Sequence, residues 1–194
     1  MITIIYAHPY PKRSQTGKAL LDAVHGLPGV HVRSLYEMYP DFHIDAKVEQ
    51  AQLRKSRTIV LQHPLQWYHT PALLSLWFEK VLAYGWAYGH DEHGKTTEAL
   101  TGKRLLWVTT AGGDEAAYTE RGYNHFPMNQ IATPIQQTAL FCGMQWLAPQ
   151  VVFGARKLDE SELLQAAEAY RDRLVAEIQY LNEQHSNSGA NDAR

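Results

Sequence analysis

The sequence predicts an α/β fold: a doubly wound parallel sheet of five strands with helices on both faces. Three observations predict it. Short β-branched runs alternate with amphipathic stretches of roughly 10–20 residues, the rhythm of strand–helix–strand units. The run TIVLQ at 58–62 is too apolar for a solvent-facing edge and reads as a strand covered on both sides. At 194 residues, with no repeat of roughly 20–50 residues, the chain suits a single domain.

The first strand is Ile2–Tyr6, and Pro-punctuated residues 8–14 follow it as a loop. A helix is expected from about Thr16 to His25, because Ala19, Leu20, Ala23 and Val24 fall on one face. Val30–Leu35 alternates as a second strand, and Asp45 caps a helix carrying Val48, Ala51 and Leu53. Thr58–Gln62 is the third strand. Thr70 then reads as cap and Pro71 as first residue of a helix through Leu82. Arg104–Thr110 is the fourth strand, Asn129–Phe141 a helix, and Val151–Phe153 the core of the fifth strand. Asp159 and Glu162 form a capping box for a last helix ending near Asn182. Residues 1–183 are thus expected as one domain, and the small polar tail 184–194 as disordered.

Composition narrows function. Eighteen basic against 20 acidic side chains leave a net charge of −2, without the cationic field that draws nucleic acid. No apolar run is long enough to span a membrane, and no basic segment precedes an apolar one at the N-terminus. The lone Cys142 has no disulfide partner and suits a reducing compartment, so the expected location is cytoplasmic. His90-Asp91-Glu92-His93 lacks metal-ligand spacing and reads as a solvated loop; no metal site is expected.

In a doubly wound sheet, ligands sit beyond the carboxyl ends of the strands. The loop after the first strand offers His8, hydroxyls at Ser14 and Thr16, and the N–H groups and positive dipole end of a helix, a seat for phosphate. A plain cap on a Pro-rich turn explains Ser14 and Thr16 as well. No P-loop or G-x-G-x-x-G motif is present. The loop after the third strand, with Leu65, Gln66, Trp67 and Tyr68, offers a flat wall for a planar ring, or a plug for the core. After the fourth strand, Thr110-Ala111-Gly112-Gly113 brings backbone N–H groups of 111–113 close to a ligand edge, with Tyr118 and His125 following. Taken together, the three loops describe a flavin site: phosphate on the first, isoalloxazine against the third, its polar edge on the fourth.

On those residues the chain resembles the NAD(P)H:quinone oxidoreductase family of the flavodoxin-like fold, and within it the bacterial ancillary proteins of glutathione-gated potassium efflux systems. The likeness runs through IIYAHPYPKRS (4–14), SLYEMYPDFHID (34–45), QHPLQWYHTPALLSLWFEKVL (62–82), GWAYGH (85–90) and LTGKRLLWVTTAGG (100–113). It implies strand order 2-1-3-4-5 and cofactor contacts from His8, Ser14, Gln15, Thr16, Gly17, Leu65, Gln66, Trp67, Tyr68, Thr110, Ala111, Gly112 and Gly113, with Tyr118 and His125 as catalytic residues. Gly17 stands where several relatives carry Asn, and residues 91–98 form a longer segment than in the efflux proteins.

The implied cofactor is FMN, with FAD as the alternative. The implied reaction is hydride transfer from NADPH or NADH through the flavin to a quinone. The implied partners are a second copy of the chain and the cytosolic face of a potassium efflux transporter. A regulatory flavoprotein with little turnover is the competing reading; Trp86 and Tyr88 belong either to a dimer or partner surface or to the cover of the active site or core. An electron-carrying flavodoxin fits less well, because such carriers present a strongly acidic docking surface.

Overall fold

The computed structural model describes the backbone of residues 1–191 and the side chains of residues 1–186. Parallel strands β1 (Ile2–Tyr6), β2 (Val30–Ser34), β3 (Thr58–Pro64), β4 (Arg104–Thr110), β5 (Gln145–Trp146) and β6 (Gln150–Val152) form one sheet in the order 2-1-3-4-5, with β6 also on β4. The expected topology therefore holds, with one strand more. Strands β5 and β6 are two halves of the expected fifth strand, pairing with opposite ends of β4. Pro149, between them, has no N–H for the ladder, so the edge strand breaks there.

The two faces follow from strand alternation. Ile4, Val60 and Leu106 point to one side, against Leu20 of α1 (Gln15–Val24) and Tyr170 and Leu174 of α6 (Glu160–Asn191). Their neighbours Ile5, Leu61 and Trp107 point to the other, against Leu53 of α3 (Ala46–Lys55), Trp77 of α4 (Ala72–Val81) and Ile135 of α5 (Met128–Phe141).

Most boundaries match the sequence expectation within a residue or two. Asp45 caps α3 by accepting from Val48 N–H at 3.1 Å, and Asp159 and Glu162 exchange the reciprocal bonds of a capping box at 2.9 and 2.8 Å. Three expectations are corrected. Leu35 opens a short helix, α2 (Leu35–Met38), instead of ending β2. Pro71, not Thr70, holds the cap position of α4; the Thr70 hydroxyl pairs with Ser75 Oγ at 2.7 Å. The last helix continues past Asn182 to Asn191, since no proline interrupts it, so the expected disorder from Gln184 is not what the backbone shows through Asn191. The remaining expectation for 192–194 lies outside the described residues.

Buried polar groups pin the helices to the sheet. Glu49, fully buried on α3, accepts from Arg33 Nε at 2.9 and 3.1 Å, Tyr39 Oη at 2.7 Å and Trp77 Nε1 at 2.9 Å. Glu177 on α6 accepts from Thr58 Oγ1 and Arg104 Nε, each at 2.6 Å. Removing one partner strands the others without water. Glu49→Ala is expected to lower the unfolding free energy by roughly 3–5 kcal/mol in urea titrations, leaving the partly buried Arg33 and the buried Tyr39 and Trp77 donors unpaired.

Candidate functional site

The loops after β1, β3, β4 and β6 meet at the carboxyl edge of the sheet around a cavity of about 700 Å³. His8, Ser14, Gln15, Thr16, Leu65, Gln66, Thr110, Ala111 and Gly112 all line it, so three separately chosen stretches of sequence converge. An adjoining cavity of about 290 Å³ shares Leu65 and Gly112 and adds Trp67, Tyr68, Gly113 and Tyr118.

At the mouth of α1, Ser14 accepts from Gly17 N–H at 3.1 Å as the helix cap. Among the described residues, Gln15 and Thr16 N–H find no protein acceptor, and both point from the positive end of the helix. Thr16 Oγ1 is already committed, donating to Ala155 O at 2.7 Å. Gly17 does not line the cavity. Its role is to admit the cap, because a Cβ there would lie 2.4 Å from Ser14 Oγ and 3.1 Å from Tyr6 Oη. His8 Nδ1 accepts from Tyr10 N–H at 3.0 Å, leaving Nε2 to carry the proton, and burial holds its pKa below the ordinary histidine value.

The loop after β3 is a two-residue hairpin turn. Gln66 and His69 exchange backbone bonds at 3.0 and 2.8 Å, and both central residues are left-handed: Trp67 at φ 49° and Tyr68 at φ 65°. Turns of this shape ordinarily carry Asn-Gly, so two bulky aromatics store strain here. Trp67 is 90% exposed, and Tyr68 is held by Tyr68 Oη donating to Asn124 Oδ1 at 3.0 Å. Neither plugs the core. Behind the turn a smaller cavity of about 130 Å³ is lined by His63, Trp107, Leu65 and Tyr68, making Leu65 and Tyr68 a partition.

His63 is buried beneath this turn. Trp107 Nε1 donates to His63 Nε2 at 2.8 Å, so Nδ1 carries the proton toward Pro64 O at 2.9 Å. Desolvation lowers the His63 pKa to about 4. Thr109 Oγ1 donates to His63 O at 2.9 Å, joining β3 to β4 just below the site.

In the loop after β4, Ala111 N–H is consumed by Val152 O at 2.8 Å, which corrects the expectation that it faces a ligand. Gly112 N–H has no acceptor among the described residues. Tyr118 is buried against Phe153, ring centroids 5.5 Å apart; burial raises its pKa, opposed by the Gly113 backbone. His125 lines neither cavity; its neighbour Asn124 does, so the structure does not bring His125 to the site. Tyr10, Arg13, Ala155, Arg156, Tyr123 and Asn124 line the cavities but were missed by sequence reasoning. Arg13 was legible as a cation beside the phosphate-seat loop. Residues 155–156 follow an unremarkable edge strand and carried no signal.

Other features resolve simply. Trp86, 8% exposed, belongs to the core under the Arg54 guanidinium. Asp91 Oδ1 accepts from His93 and Lys95 N–H in an exposed turn, and no metal-binding group of His, Cys, Asp and Glu occurs among the described residues. Burial raises the Cys142 thiol pKa.

The parallel 2-1-3-4-5 sheet and its carboxyl-edge cavity coincide with a family profile described as flavodoxin-like fold, matched over residues 1–174. The chain belongs to that flavodoxin-like family. The glutathione-regulated potassium-efflux system ancillary protein KefF of Enterobacter sp. (strain 638) is 49% identical to this flavodoxin-like chain over 90% of its length and 96% of that protein's. Among solved structures, a general stress protein 14 of Treponema denticola in complex with FMN superposes with TM-score 0.82 at 30% identity, covering 90% of this chain and 98% of that one. An NADPH-quinone reductase from P. pentosaceus gives TM-score 0.80 at 26% identity, covering 89% and 96%. A thermophilic tryptophan halogenase from Streptomycin violaceusniger gives TM-score 0.83 at 36% identity, covering 89% and 97%, so likeness of fold does not decide activity.

Two outcomes are expected. The unfolded chain takes up the His63 proton before the folded one does, so stability is full above about pH 6.5 and falls as pH drops toward 4, by on the order of 3 kcal/mol. His63→Gln should flatten that limb of a plot of urea midpoint against pH. Trp67→Gly is expected to raise the unfolding free energy by about 0.5–1 kcal/mol, since it relieves a left-handed residue and loses almost no burial.

Proposed function

We propose that this chain is an FMN-dependent NAD(P)H:quinone oxidoreductase that also serves as the ancillary protein of a glutathione-gated potassium efflux system. The observation that carries this reading is the single cavity in which open N–H donors at Gln15, Thr16 and Gly112 and the wall at Leu65 meet. That donor set fits a planar group with an anionic tail: the helix mouth takes the phosphate, Leu65 and Tyr68 flank the ring, and Gly112 N–H faces its polar edge. FMN in the Treponema neighbour supports the choice of cofactor.

When bound, the flavin supplies two-electron chemistry between a nicotinamide and a quinone. The chain's own residues position and polarise. Gly112 N–H aims a fixed dipole at developing negative charge, and no reorganisation is needed at the moment of reaction. His8 Nε2–H adds a donor from the end of β1. Tyr118, raised in pKa and lining the adjoining cavity, keeps its proton at neutral pH and donates a hydrogen bond at the ring edge or to the quinone. The adjoining cavity, shared through Leu65 and Gly112, receives nicotinamide and quinone in turn.

Exposed Trp67, Tyr68 and Tyr123 around that cavity fit coverage by a second copy, and no helix among the described residues is long and apolar enough to cross a membrane. In this reading the protein works in the cytoplasm and docks at the inner membrane face, as the name of a relative ancillary to a potassium-efflux system suggests. A purely regulatory role with little turnover is the second reading, favoured by 49% identity to a protein named as ancillary.

Purified protein is expected to be yellow, or to become so with FMN, and to bleach on anaerobic addition of NADPH and recover on addition of a benzoquinone. Flavin that binds but does not turn over supports the regulatory reading, whereas protein that takes up no flavin overturns both. Tyr118→Phe is expected to lower quinone turnover about five- to tenfold, the worth of one hydrogen bond.

A further inference from the structure

We propose that Arg13 and Arg156 form a cationic clamp on the flavin phosphate, making this chain select FMN over unphosphorylated riboflavin. The inference rests on the flavin reading of the same cavity. Arg13 closes the 3-10 turn Pro11–Arg13, immediately before the cap residue Ser14, and Arg156 lies in the loop between β6 and α6. Far apart in sequence, they line one cavity.

Specific bonds bring them there. Thr16 Oγ1 donates to Ala155 O at 2.7 Å, tying the first turn of α1 to the residue before Arg156. Gly154 and Ala155 N–H donate to Gly113 and Ala111 O, each at 2.9 Å, fixing the same loop to the one after β4. The backbone carrying Arg156 is therefore anchored to both neighbouring walls of the cavity.

Charge then points to an anion. Among the described residues neither arginine has a carboxylate within ion-pair distance; Arg13 is held only over the Tyr10 ring, 5.9 Å from its centroid. Lys157, next in sequence to Arg156, instead lies 3.6 Å from Asp114. No Asp or Glu lines the cavity, although the whole chain carries a net charge of −2. Two arginines without a carboxylate partner therefore line the same cavity as the open Gln15 and Thr16 N–H groups at the positive end of α1. A guanidinium fork matches a phosphoryl group through charge-assisted bonds, and the neutral end of riboflavin's ribityl chain gains nothing comparable.

The test is equilibrium titration of apoprotein with FMN and, separately, with riboflavin, read by quenching of flavin fluorescence. The proteins are wild type, Arg13→Gln, Arg156→Gln, the double variant and Arg156→Lys. Wild type is expected to bind FMN at least 100-fold more tightly than riboflavin. Each glutamine variant should weaken FMN about tenfold with riboflavin unchanged, and Arg156→Lys should recover part of the loss. Added salt should weaken FMN binding more in wild type than in the double variant. A glutamine variant that keeps the FMN-to-riboflavin ratio overturns the clamp, and so does one that loses both flavins equally, which marks a structural role. Wild type that binds both flavins equally well overturns the clamp alone; wild type that binds neither removes the flavin reading beneath it.

Discussion

Strands β1, β3 and β4 run parallel and side by side, so the loops that leave them emerge from one edge within two strand spacings, about 10 Å. That arrangement requires both faces of the sheet to be covered, because a parallel sheet has no way to present a polar face to water along its length. After each of β1 to β4, the helices supplying the cover carry the chain back to the opposite edge. All variation in chemistry is thereby confined to the carboxyl edge. Ile4, Val60 and Leu106 on one face, and Ile5, Leu61 and Trp107 on the other, hold that edge in place without taking part in what happens there.

The polar groups at the edge divide into those spent on the fold and those left open. Ser14 Oγ, Thr16 Oγ1, Ala111 N–H and both ring nitrogens of His63 are spent: they join α1, β3, β4 and the loop after β6 to one another. The N–H groups of Gln15, Thr16 and Gly112 are left open. The division explains why hydroxyl residues suit the first loop even though one of them already has a partner in the protein. Their work is to hold the helix mouth in the right place, and the neighbouring amides face the ligand.

Much of this was legible in the sequence, and the parts that were not have identifiable causes. Strands β1 and β4 could be bounded to the residue because their apolar runs are sharply delimited, and the Asp45 and Asp159–Glu162 caps are local signals that need no tertiary context. The three site loops were visible because each breaks the ordinary composition of a loop. The role of Gly17 was hidden, since it depends on how close Ser14 Oγ and Tyr6 Oη approach. The commitment of Ala111 N–H was hidden for the same reason: Val152 is remote in sequence. Asn124 rather than its neighbour His125 reaches the cavity, in a loop whose backbone turns left-handed at His125, φ 61°, a local path that residue type alone does not announce.

The broken outer strand has a consequence of a different kind. An unpaired sheet margin is a template on which another polypeptide can add by backbone bonding. Here the margin beyond β4 is two short pieces separated by Leu147, Ala148 and Pro149, and a ring without an amide hydrogen sits at the interruption. A foreign strand laid along it would meet a gap in the donor sequence and could not zip end to end. The same interruption that divides the fifth strand thus guards the monomer against open-ended stacking, while β6 stays free to deliver Ala155 and Arg156 to the cavity.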